Sequence, residues 1–129
     1  MKIRALLLFS CSLEMATGVA VIFAPSFFAR ILLSTGLNSG GEAIARVGGF
    51  GLFSLAIACW PRGKGEYTQA VRALFFYNLV AACYLAYLRI GSEFSSFLLV
   101  PVSVLHGLVA LLFAPPAYKS VVDRDSNLA

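Results

Sequence analysis

Between Ala5 and Ala24 the chain carries one carboxyl side chain, Glu14, inside an apolar run long enough to cross a bilayer. A carboxyl at the centre of a spanning helix costs roughly 2.5–3.5 kcal/mol on insertion scales. Such a group faces a protein interior or a wet cavity and has a partner there. The rest of the sequence must therefore supply other spans, a polar partner, and a reason to keep the acid.

The other spans are present. Apolar runs recur at about Glu42–Trp60, Tyr67–Ile90 and Phe94–Phe113. The composition agrees, with 60% hydrophobic and only 12% charged residues in 129. Soluble domains average about 25% charged. Four spans use most of the chain and leave no room for a separate soluble module. The expected fold is all-α, a four-helix transmembrane bundle over residues 1–114, followed by a polar cytoplasmic tail over 115–129.

Connections follow from the breakers. Pro25 ends the first span and opens Pro25–Leu33, a mixed apolar stretch with Arg30 that reads as a short interfacial helix. Ser34–Gly41 reads as a flexible turn, Pro61–Gly65 as a loop and Gly91–Glu93 as a tight connection. Pro115 and Pro116 are expected to end the fourth span, and Pro101 to free the carbonyl of Phe97 within it.

Net charge is +4, and the basic residues gather at span ends. Without a basic run or an aromatic–basic platform, the charge reads as topogenic and not as a nucleic-acid surface. With the N-terminus inside, Lys2, Arg4, Arg62, Lys64, Arg72, Lys119 and Arg124 fall on one side and Arg30, Arg46 and Arg89 on the other. Both termini are expected in the cytoplasm, and the protein in the plasma (bacterial inner) membrane. Lys2, Arg4 and the first leucines resemble a signal peptide, but hydrophobicity continues far past Cys11, so this segment reads as a retained span. Cys11, Cys59 and Cys83 have no metal or redox spacing and read as packing residues.

Glu14, Asn78 and His106 fall at one depth, near mid-membrane, when helical rise is counted from the span ends. On the first span Ser10, Cys11, Glu14, Thr17 and Gly18 share a face. Phe75, Asn78 and Ala82 align on the third, and Ser103, His106, Gly107 and Ala110 on the fourth. On the second, Arg46 shares a face with Gly49, and Ala45 and Gly49 form a small-xxx-small pair for close helix approach. Arg46 sits shallower, with a side chain long enough to descend toward Glu14 or rise to the headgroups. Tyr77, Tyr84 and Tyr87 form an aromatic stripe that reads either as packing or as a cavity wall.

The candidate ligand-binding residues are Glu14, Arg46, Asn78, His106, Ser103 and Tyr77. Glu14 would be the anchor or protonatable group, Arg46 its charge partner, and Asn78 and His106 orienting groups. Polar groups at these positions also act simply as glue between helices. Glu14 and His106 are only two ligands, so no metal is expected. There is no phosphate loop, no nucleophile–base set, and no cofactor is expected.

Phe23-Ala24-Pro25, the glycine-bearing turn, and Ala45-Arg46-Val47-Gly48-Gly49-Phe50 resemble the DoxX-like group of small bacterial four-span membrane proteins, in particular its short, uncharacterised families. The resemblance covers Gly18 to Cys59, and the rest by span count only. It implies a compact four-helix membrane bundle. Three functional readings stand. The first is a membrane protein that binds or helps transport a small lipophilic or amine-type ligand in an intramembrane polar pocket. The second is an accessory subunit of a larger complex. The third is an enzyme acting on a quinone- or isoprenoid-like substrate. Expected partners are membrane lipids, a lipophilic small molecule and a second copy of the chain.

Overall fold

A computed structural model describes residues 3–63, 67–91, 94 and 96–126, with side chains as far as Tyr118. Lys2, Lys64, Ser92, Glu93 and the end of the tail lie outside the described residues, as do the side chains of Lys119 and Arg124. Five helices form: α1 (Ile3–Phe23), α2 (Pro25–Leu33), α3 (Ser39–Ala58), α4 (Thr68–Gly91) and α5 (Leu99–Ser126). The first, third and fourth are long and apolar enough to cross a membrane, as is Leu99–Tyr118 of α5. Phe23, Phe76, Leu111 and many other large apolar side chains face outward. In water that surface would be a large sticky patch. Against lipid it is the natural exterior, so the chain has the build of a multi-pass membrane protein.

The helices associate as two antiparallel hairpins, α1 with α3 and α4 with α5. Glycine sets the first. A Cβ on Gly18 would stand 2.9 Å from both the Gly49 carbonyl oxygen and the Phe53 nitrogen, and one on Gly49 would stand 2.8 Å from Ile22 Cγ1. Only bare backbone fits at this crossing. In the second hairpin the Ser103 hydroxyl donates to the Ala82 carbonyl at 2.8 Å, and Gly107 lies opposite Ala82.

Helix boundaries differ from the sequence reading in three places. Asn38 caps α3, its Oδ1 accepting from Gly41 N at 2.7 Å, so the helix starts at Ser39 and not at Glu42. The fourth span begins at Leu99 and not at Phe94, after Ser96 accepts from Leu98 N at 3.3 Å. That start places Pro101 in the first turn, where its missing N–H has no intrahelical acceptor to lose. The proline therefore frees no mid-helix carbonyl. Pro115 and Pro116 also do not end α5, which runs on to Ser126. Proline keeps a helical φ and removes only the bonds to Leu111 and Leu112. Neighbouring groups at a span end can compensate for that loss.

The interior has two unlike halves. At the end where α1 begins, here called proximal, Leu6, Leu7, Cys11, Ala56, Cys59, Val71, Leu74, Val109, Phe113 and Ala117 form one close-packed cluster. At the distal end a cavity of about 370 Å³ separates the hairpins. The cysteines divide similarly. Cys11 and Cys59 pack inside, whereas Cys83 is exposed on the outer surface, against the packing role expected for it.

Candidate functional site

A polar layer lies at the boundary between these halves. Ser10 and Glu14 enter it from successive turns of α1, Asn78 from α4 and His106 from α5, and all four are buried. Asn78 is the hub. Its Nδ2 donates to the Leu74 carbonyl at 2.8 Å and to Ser10 Oγ at 3.4 Å, while its Oδ1 lies 2.8 Å from His106 Nδ1. The Leu74 carbonyl can only accept, which fixes the amide with Oδ1 toward the imidazole. His106 Nδ1 therefore carries a proton and donates it to Asn78 Oδ1, and in the neutral ring this leaves the lone pair on Nε2. This network couples α1, α4 and α5, joining the two hairpins at their centre.

Glu14 is different. It is fully buried, and neither carboxyl oxygen has a hydrogen-bond partner. Tyr77 stands close enough for its hydroxyl to feel the carboxyl's field, but the pair closes no hydrogen bond of good geometry. No described cation pairs with Glu14. More than nine in ten buried polar groups are satisfied, so two orphaned oxygens on one side chain call for a reason.

Arg46 is not that partner. Its guanidinium pairs with Glu42 Oε2 at 3.3 Å, and its Nε donates to the Ile22 carbonyl at 3.2 Å. Ser26 completes this distal cluster by donating to Glu42 Oε1 at 2.6 Å. The expected charge pair fails because Glu42 lies one turn from Arg46 on the same helix, so pairing there requires no descent into the apolar interior. The cluster instead ties α1, α2 and α3 together and satisfies a carbonyl left open at the end of α1.

The cavity opens directly above the polar layer. Leu13, Thr17 and Val21 line it from α1, Leu52 from α3, Tyr77, Ala81, Tyr84 and Leu85 from α4, and Val102, Leu105 and His106 from α5. Phe28, Ile31 and Leu32 of α2 and Leu98 close its distal end. Tyr77 and His106 meet edge to face at its floor, with ring centroids 5.9 Å apart. Of the tyrosine stripe, Tyr77 and Tyr84 form cavity wall, while Tyr87 stacks on Tyr84 outside and covers Gly91. Ser103 lies off the cavity, its hydroxyl committed to the α4–α5 seam. Among the described residues no three His, Cys, Asp or Glu side chains gather as a metal site.

The comparisons with known proteins add nothing to this geometry. No family model, curated protein or solved structure matches the chain.

The structure thus brings Asn78 and His106 into direct contact and sets Tyr77 beside both Glu14 and His106. It keeps Arg46 and Ser103 apart from this group. Sequence reasoning passed over Ser10 and Thr17 as site residues, although both share the Glu14 face at helical spacing. It also passed over Ser26 and Glu42, whose signal was the acid four residues before Arg46.

Proposed function

We propose that this protein binds a small lipophilic molecule inside the membrane, in the cavity between its two hairpins. The observation that carries the reading is the cavity's polarity, an apolar barrel of side chains ending on Tyr77 and His106, with the unpartnered Glu14 carboxyl beside Tyr77. Ligand sites characteristically combine a mostly apolar wall with a few convergent polar groups. A volume of about 370 Å³ suits a small ligand. Helix glue accounts for Asn78, whose bonds are made within the protein. It does not account for Glu14, whose carboxyl closes no well-formed hydrogen bond and would be replaced at lower cost by an apolar residue.

Native mass spectrometry of the protein purified from its own membranes tests this. The wild type should carry a lipophilic adduct that Ala81→Phe, which fills the cavity, removes while the protein remains folded. Equal adduct loads on the two proteins would refute the reading. Membership of the DoxX-like group and a cytoplasmic position for both termini are parts of the same proposal. One-sided labelling of a cysteine introduced at Arg62 reports the orientation.

A further inference from the structure

The apolar cavity wall alone does not define the polar end of the ligand. The groups at the cavity floor narrow it. His106 spends its one N–H on Asn78, so the ring nitrogen left over is an acceptor. Asn78 is likewise spent, both amide bonds and its carbonyl going to protein. Tyr77 brings a single hydroxyl beside Glu14, whose two oxygens close no hydrogen bond of good geometry and pair with no described cation. Arg46, the basic residue whose long side chain is expected from the sequence to reach Glu14, is committed at the distal cluster to Glu42 and the Ile22 carbonyl. Tyr77 and His106 at the floor, together with Glu14 buried beside Tyr77, therefore offer more acceptors than donors, and the acidic side chain lacks a described counter-ion.

We infer that the cavity takes a lipophilic amine, its ammonium group seated between Glu14, Tyr77 and His106 and its apolar body among the aliphatic and aromatic walls. This rests on the ligand-binding reading and adds the chemistry of the head group. A ketone or quinone brings only acceptors and would face Glu14 and His106 Nε2 with lone pairs. An alcohol brings one donor, enough for one oxygen. An ammonium brings up to three donors together with the missing positive charge. It can satisfy both Glu14 oxygens, or one of them and the His106 ring nitrogen, by charge-assisted bonds. Glu14 is fully buried and Tyr77 lines the wall, so the tyrosine must turn aside or share its hydroxyl for the head to arrive.

The test is calorimetric titration of the full chain in lipid nanodiscs with three probes of similar length, decylamine, 1-decanol and 2-undecanone, against empty nanodiscs. Decylamine should bind the wild type about tenfold or more tighter than either neutral probe, the equivalent of one charge-assisted hydrogen bond. Glu14→Gln should remove that advantage and bring decylamine down to the level of the neutral probes. The wild-type comparison requires no variant, so it stands even if Glu14→Gln fails to fold. Ketone binding as tight as amine binding overturns the amine assignment and leaves the cavity as a ligand site. If no probe binds and Ala81→Phe changes nothing, both the ligand-binding reading and the inference built on it fall.

Discussion

The proximal and distal halves of the bundle are built from the same four helices in the same solvent, yet in one a cluster of large side chains fills the space between the hairpins and in the other a cavity of about 370 Å³ lies there. At the proximal end, large side chains from both hairpins meet, with Leu7, Leu74 and Phe113 fully buried against one another's neighbours. At the distal end each hairpin spends its small residues on itself. Gly18 and Gly49 draw α1 onto α3, and Ala82, Ser103 and Gly107 draw α4 onto α5. Drawing each pair together leaves space between the pairs. The lesson is that close packing within hairpins can create a void between them. The Ser10–Asn78–His106 layer marks where one regime gives way to the other.

Six substitutions, grouped in four tests, would break or sharpen this contrast. The largest effect is expected from Phe113→Ala in the packed half, about 3 kcal/mol or more of lost stability. Leu85→Ala, which borders existing space, should cost well under half as much. Unfolding in a mixed-detergent titration compares the two, and equal losses would erase the distinction. Next comes Gly18→Val. Its Cβ would sit 2.9 Å from backbone atoms of α3, which cannot move aside as a flexible side chain can. A loss of about 1–3 kcal/mol is expected, with cysteine crosslinking showing α1 and α3 farther apart.

Asn78→Ala should cost about 1 kcal/mol, in the range of polar contacts between membrane helices. His106→Ala should add little on top of it, because the two share one bond. Additive losses in that double-mutant cycle would mean that the layer does not act as a unit. The smallest effect belongs to Glu14→Gln, within about 0.5 kcal/mol of wild type, since the carboxyl has no bond to lose. A large loss there would expose a hidden structural partner and remove the main argument for a ligand.

Much of this was legible in the sequence. Runs of apolar residues identified the spans, Pro25 identified α2, and helical rise put Asn78 and His106 at the same depth, where they meet at 2.8 Å. What the sequence did not disclose depends on competition between alternatives. Arg46 had two acids within reach, and the local one prevailed because burial would have cost more. Pro101 reads as an interruption within the fourth span and Pro115 as its end, but one falls in a first turn and the other in a helix that runs on past it. The cavity was least legible. A void is defined by what small residues do elsewhere, and no single residue announces it.

The short helix α2 carries a consequence of its own. Ser26 ties it to Glu42 of α3, and the Ser96 hydroxyl donates to its Ile31 carbonyl at 2.9 Å, so the distal mouth is fastened on both sides. Between α2 and α4 the wall reaches the outer surface, since Ile31 and Tyr84 line the cavity and are also exposed. That surface faces acyl chains. Traffic through this gap would be governed by partitioning, so occupancy would follow a molecule's mole fraction in the bilayer and not its aqueous concentration.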